Sequence, residues 1–187
     1  MSEPQRRRRR KGPEQKVRGS HTAELAASWG RELPHLDTTG LLLQIYVVRL
    51  GRILDAGYDR MCRETYGISG PEMRVLFSLR RAGAPFVRRP TDLFRALLVT
   101  SGAITKQVDR LQAAGFVVRI PDPSFGGGFL IQLTKKGRKA ADEMIEAVST
   151  RGLMARATKD FSPQEIQDAM QLCERLLTTL ELDDPSL

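Results

Sequence analysis

A mainly α fold with a small β-hairpin is what this sequence predicts, and three features predict it. Apolar residues recur every three to four positions in successive stretches bounded by capping and stop signals, as amphipathic helices require. The period changes once, to extended runs at Phe116–Ile120 and Phe129–Leu133. These flank the turn-rich segment Pro121-Asp122-Pro123-Ser124-Phe125-Gly126-Gly127-Gly128. Beyond it the helical period returns, and no internal repeat is visible.

Each element follows from its own residues. Thr22 to Leu33 reads as a short helix, with Leu25, Trp29 and Leu33 on one apolar stripe that Pro34 terminates. Asp37 or Thr38 caps a long helix reaching about Tyr66. On it Leu43, Val47, Leu50, Leu54 and Met61 recur at nearly heptad spacing, and Gly67 ends it. Ser69 and Glu72 have the spacing of a capping box; Met73, Leu76, Phe77 and Leu79 then form an amphipathic helix that stops at Gly83. Pro90 to Leu98 is the next helix. Thr100 or Ser101 opens another, with Ile104, Val108 and Leu111 on one face, polar residues on the other, and Gly115 as its stop. After the hairpin, Thr134 caps a helix carrying Ala141, Met144, Ile145 and Val148. Ser162-Pro163-Gln164-Glu165 starts a last one carrying Ile166, Met170, Cys173, Leu177 and Leu180.

The chain has 187 residues, 41% apolar and 28% charged, which is ordinary globular composition and enough length for a self-supporting core. Its two cysteines, Cys62 and Cys173, are too few and too scattered for a disulfide framework or a zinc site, which points to a reducing cytoplasm. No early run resembles a signal peptide and no later one is long enough to span a bilayer, so neither export nor membrane insertion is expected. His21 and His35 stand apart from any metal-ligand spacing, and the triple glycine does not open a helix as a phosphate loop would. Neither an enzyme nor a cofactor is expected.

The net charge of +8 is concentrated: residues 1–20 hold eight Lys or Arg and two acids, a local +6, leaving +2 for the remaining 167. Such a run cannot bury itself, so residues 1–20 are expected to form a disordered basic tail available to DNA phosphate. The same tail read alone is equally a solubilising extension. Three helices followed by a hairpin is the order of a winged helix-turn-helix, in which the helix opened by Thr100 or Ser101 enters the major groove. The long flanking helices carry apolar stripes with few neighbours to cover them, so a homodimer is expected. The chain then divides into the tail 1–20, N-terminal helices 21–66 for dimerisation and a ligand pocket, a winged helix-turn-helix DNA-binding domain 67–133, and C-terminal dimerisation helices 134–187.

Thr100-Ser101-Gly102-Ala103-Ile104-Thr105-Lys106-Gln107-Val108-Asp109-Arg110-Leu111, followed by Gly115-Phe116-Val117-Val118-Arg119, closely resembles the recognition helix and first wing strand of MarR family regulators. Leu133-Thr134-Lys135-Lys136-Gly137 resembles that family's entry into its next helix, and the resemblance covers about residues 38 to 182. It implies a winged helix-turn-helix with long N- and C-terminal dimerisation helices, double-stranded DNA as partner and a small-molecule effector.

Candidate DNA-reading residues are those at the start of the recognition helix that face away from its apolar stripe: Thr100, Ser101, Gly102, Thr105 and Lys106, with Asp109 behind them. For Thr100 and Ser101 simple capping is the alternative role. Arg88, Arg89 and Thr91, before or at the start of the preceding helix, are candidate phosphate anchors, with solvated surface charge as the alternative. The wing departs from the family pattern. An Asp and one or two Arg usually follow the Asp-Pro turn, whereas Phe125, Gly126 and Gly127 stand here. A tip without a guanidinium cannot exploit a narrow minor groove, so either the wing contributes little or the arginine tail takes over.

Trp29-Gly30-Arg31-Glu32-Leu33-Pro34-His35-Leu36-Asp37 resembles the N-terminal helix of the family's urate-responsive branch. Trp29 and Arg119 match its site, but the positions of the remaining acid and Arg hold Arg74 and Gln107. The resemblance thus implies an effector set of Trp29, Arg74, Gln107 and Arg119. It also implies an anionic aromatic other than urate, oriented by stacking on Trp29. Trp29 is otherwise a core aromatic, and Cys62 and Cys173 are either inert packing or an oxidation switch. Two functions remain open. One is a ligand-relieved repressor that binds a pseudo-palindromic operator as a homodimer. The other is a ligand-binding or interaction protein that keeps the fold without specific DNA reading.

Overall fold

The computed structural model describes residues 21–124 and 126–183; the basic tail and Phe125 lie outside the described residues. The chain divides into two compact units, one up to Gly51 and one from Arg52 on, and the division falls inside the long helix α2 (Thr39–Tyr66).

In the first unit, α1 (His21–Glu32) carries Trp29 at its surface, 36% exposed. Asp37 Oδ1 accepts from Thr39 N at 2.9 Å and starts α2; the Thr39 side chain first, and then this backbone N–H, hold the Asp37 carboxyl below its ordinary range. The stripe residues Leu43, Val47 and Leu50 of α2 are exposed.

The second unit contains the rest of α2, then α3 (Gly70–Arg81), β1 (Val87–Arg88), α4 (Pro90–Leu97), α5 (Ser101–Ala113), β2 (Val117–Pro121), β3 (Phe129–Leu133), α6 (Lys135–Arg151), α7 (Leu153–Ala157) and α8 (Pro163–Asp183). The capping box forms as its spacing demands: Ser69 N donates to Glu72 Oε2 at 2.7 Å and Glu72 N to Ser69 Oγ at 3.3 Å. Gly67 and Gly115 take the left-handed conformation just past their helices, where a side chain would be strained.

Two elements differ from the sequence expectation. The hairpin is part of a three-stranded antiparallel sheet of order β1-β3-β2, in which Val117 faces Leu133 and Pro121 faces Phe129. The added strand β1 pairs only Val87 with Gln132 and Arg88 with Ile131, too short to carry an alternating pattern of its own. The one-and-a-half-turn α7 likewise has too few residues to show a helical period.

The core of this unit lies where α3, α4, α5, the sheet and α6 converge. Met73, Leu76, Leu79, Leu93, Ile104, Val108, Leu111, Val117, Ile131 and Met144 are almost wholly buried there. Each large side chain contributes about 1.5–3 kcal/mol by leaving water, so this cluster fixes how α5 is held. Cys62 is buried in the same core.

The start of α6 is bonded onto the end of α5. Thr134 accepts from Gly137 N at 3.0 Å as N-cap and donates through Oγ1 to Gly115 O at 2.8 Å. Lys136 Nζ donates to Ala114 O at 2.8 Å. Gly137 has no room for a side chain: a Cβ there would lie 2.0 Å from the carbonyl oxygen of Phe116. By contrast α8 has no buried residue, and Met170, Leu177, Leu180 and Leu182 stand open on it. No helix among the described residues is long and apolar enough to cross a membrane.

Candidate nucleic-acid interface

Burial orients α5. Ile104, Val108 and Leu111 are at most 1% exposed, so the opposite side, carrying Ser101, Gly102, Thr105, Lys106 and Asp109, faces solvent. Thr100 is the N-cap: its Oγ1 accepts from Ala103 N at 3.3 Å, the capping role rather than a free hydroxyl. Thr105 Oγ1 donates to Ser101 O at 3.0 Å, which leaves the hydroxyl oxygen able to accept. A Cβ at Gly102 would meet nothing within 4 Å, so the backbone itself is the surface at that point. Lys106 is exposed on the same face.

Ion pairs set α5 against its neighbours. Arg110 Nη1 lies 3.3 Å from Glu72 Oε1, so one buried carboxylate serves both the α3 capping box and α5. From β2, Arg119 reaches Asp109 Oδ1 at 2.6 Å and donates to Gln112 Oε1 at 2.7 Å.

The two arginines expected to anchor phosphate are partly committed within the protein. Arg88 Nε makes a long 3.4 Å contact to Ser78 O. Arg89 Nε donates at 2.7 Å to Asp122 Oδ2, whose side chain is 4% exposed while that of Arg89 is 48% exposed. That guanidinium first, and then the Ser124 N–H on Oδ1, hold the Asp122 carboxyl below its ordinary range. Arg89 therefore ties the wing base to the start of α4 while keeping a solvent-facing edge. Thr91 is exposed on the first turn of α4.

Within the second unit, Arg74, Gln107 and Arg119 do not line one common cavity. Arg74 pairs with Asp55, stacks 5.2 Å over the Tyr58 ring and lines a cavity of about 680 Å³. Tyr58, Arg60 and Glu64 of α2, Phe77 of α3 and Arg156 of α7 also line it; Gln107 and Arg119 do not. Gln107 Oε1 is buried with no hydrogen-bond partner among the described residues. Arg119 is held by Asp109 and Gln112, and Trp29 belongs to the first unit. Burial pushes the Tyr58 phenol above the ordinary range. Burial raises the Cys62 thiol to about 11, which keeps it protonated and unreactive at neutral pH; Cys173 is exposed.

Sequence reasoning missed Asp122, Glu72 with Arg110, and the pairing of Arg119 with Asp109. Each joins residues 10 to 38 positions apart. Only Asp122, inside its Asp-Pro turn, carried a local signal.

A family model described as the MarR family matches residues 66–124, from the end of α2 to the base of the wing. The HTH-type transcriptional regulator PecS of Dickeya dadantii is 29% identical over 124 residues, 66% of this chain and 74% of PecS. The multiple antibiotic resistance protein MarR of Escherichia coli is 28% identical over 137 residues, 70% of this chain and 92% of MarR. The solved structure of a cysteine-to-serine variant of Escherichia coli MarR complexed with operator DNA superposes with a TM-score of 0.58 at 26% identity. That match covers 80% of this chain and 97% of the other. Helix order, the wing and these likenesses agree: the chain has a winged-helix fold and is similar to the MarR family of transcriptional regulators.

Proposed function

We propose that the protein binds a pseudo-palindromic DNA operator as a homodimer and represses transcription until a small anionic aromatic molecule relieves it. One observation carries the DNA reading: a rigidly held α5 whose outer face offers backbone at Gly102, small hydroxyls at Ser101 and Thr105, and the cation Lys106. The similar MarR variant was crystallised on operator DNA, which supports a duplex as the partner here. The homodimer is supported by the open apolar residues of α8, of a kind that a two-fold partner covers. For the effector, the Arg74 cavity offers three guanidiniums (Arg60, Arg74 and Arg156) against two carboxylates (Asp55 and Glu64), beside the Tyr58 and Phe77 rings. An aromatic acid fits that chemistry.

A second reading, a ligand-binding or interaction protein that keeps the fold without specific DNA reading, draws on the wing sequence, where Phe125, Gly126 and Gly127 supply no guanidinium. Footprinting and gel-shift titration on the chain's own promoter region separate the two. Protection of two half-sites about one helical turn apart supports the repressor. Equal affinity for unrelated duplexes supports the alternative.

A further inference from the structure

The outer face of α5 carries one charge of the wrong sign for a polyanion. Asp109 lies one turn beyond Thr105 and two turns beyond Gly102 on that face, and 58% of its side chain is exposed. A bare carboxylate there would meet duplex phosphates with like charge, and like-charge juxtaposition at an interface is costly. Arg119 cancels it. Nη2 lies 2.6 Å from Asp109 Oδ1, while Nη1 donates to Gln112 Oε1 at 2.7 Å. The guanidinium also lies over the ring of Phe129, 5.2 Å from its centroid, and the Arg119 side chain is only 27% exposed. Strands β2 and β3 and the second half of α5 therefore meet at one planar group. That geometry needs arginine: two separate acceptors are bridged in plane and a ring covers one face, which an ammonium cannot reproduce.

We propose that Arg119 is a positioning residue for duplex reading. It neutralises Asp109 and fixes the base of the wing against α5, so that the outer face meets DNA with Lys106 as its uncompensated charge. The proposal rests on the DNA-binding reading above, and it gives Arg119 a task other than holding the effector.

The test compares wild type with Arg119→Gln, Arg119→Lys, Asp109→Asn and the double variant Asp109→Asn/Arg119→Gln. Affinity for the footprinted operator is measured over a range of salt, and urea unfolding is followed alongside. Arg119→Gln is expected to weaken operator binding roughly tenfold or more by exposing an unpaired carboxylate to phosphate. The double variant should return to within about threefold of wild type, because the repelling charge has gone. Arg119→Lys should bind more weakly than wild type despite its retained charge. Wild-type affinity in Arg119→Gln overturns the proposal. So does a double variant as weak as Arg119→Gln with a salt slope shallower by about 0.9, the signature of a lost phosphate contact. Should Arg119→Gln fail to fold, Arg119→Lys with and without Asp109→Asn makes the same comparison. A wild type that binds no duplex takes down the DNA reading itself, and shows before any variant is made.

Discussion

Replacing Gly102 with alanine should stabilise the free protein and weaken its grip on DNA. The residue lies in the first turn of α5, and an added Cβ meets no atom within 4 Å, so the methyl enters open space. Glycine costs a helix about 0.5–1 kcal/mol relative to alanine, mostly through the freedom it has in the unfolded chain; near the helix start the lower end applies. With a urea slope of about 1–3 kcal/mol/M, 0.5 kcal/mol raises the unfolding midpoint by roughly 0.2–0.5 M. On a duplex the sign reverses. If backbone at Gly102 packs against DNA, a methyl there overpacks the contact by about 1–3 kcal/mol, which is roughly 5- to 150-fold in affinity. Gly137→Ala is the control of opposite character. Its Cβ would sit 2.0 Å from Phe116 O, a carbonyl already accepting from Thr134 N at 3.1 Å, so that variant should lose stability. Urea unfolding and operator titration of both variants decide the matter. A Gly102→Ala protein that gains stability and binds operator as tightly as wild type would show that this end of α5 does not approach the duplex.

Other outcomes follow from single residues. Lys106→Ala should reduce the salt slope of operator binding by about 0.9, one phosphate contact, and an unchanged slope would remove Lys106 from the interface. Cys62, buried and with its thiol raised to about 11, should resist iodoacetamide at pH 7.5 in the native protein and react once unfolded; mass spectrometry of native labelling would expose an error here. Arg89 holds the Asp122 carboxyl below its ordinary value. Its stabilising effect is therefore complete above about pH 4 and lost as pH falls through the depressed value. Asp122→Asn should remove that part of the acid-unfolding profile, and identical profiles below pH 4 would contradict the pairing.

The sequence was most legible where structure is written locally. The capping box at Ser69 and Glu72, the cap at Thr100 and the stop at Gly115 act through neighbours within five residues, and the buried stripe of Ile104, Val108 and Leu111 follows from helical period alone. The outer face of α5 was legible for the same reason, as the complement of that stripe. What escaped depends on distant partners. Strand β1 exists because Val87 and Arg88 find Gln132 and Ile131. Arg119 fits a ligand site by motif, yet folding sets Asp109 and Gln112 beside it. Likewise Arg89 is a phosphate anchor by position alone, until a carboxylate 33 residues away claims one edge of it.

The bonds from Thr134 and Lys136 to the carbonyls of Gly115 and Ala114, just past α5, have a mechanical consequence. With Gly137 packed against Phe116 O, that joint has no room for a side chain, and α5 and α6 are expected to turn together. The 17-residue α6 is the long arm, roughly 25 Å at 1.5 Å per residue. A tilt of about 5° about its far end therefore carries the joint, and α5 with it, through roughly 2 Å. In the proposed homodimer both arms would swing, and the separation of the two α5 helices would change by up to roughly twice that distance. A molecule wedged near the far end of α6 could thus spoil the match to two half-sites without touching any residue that faces DNA.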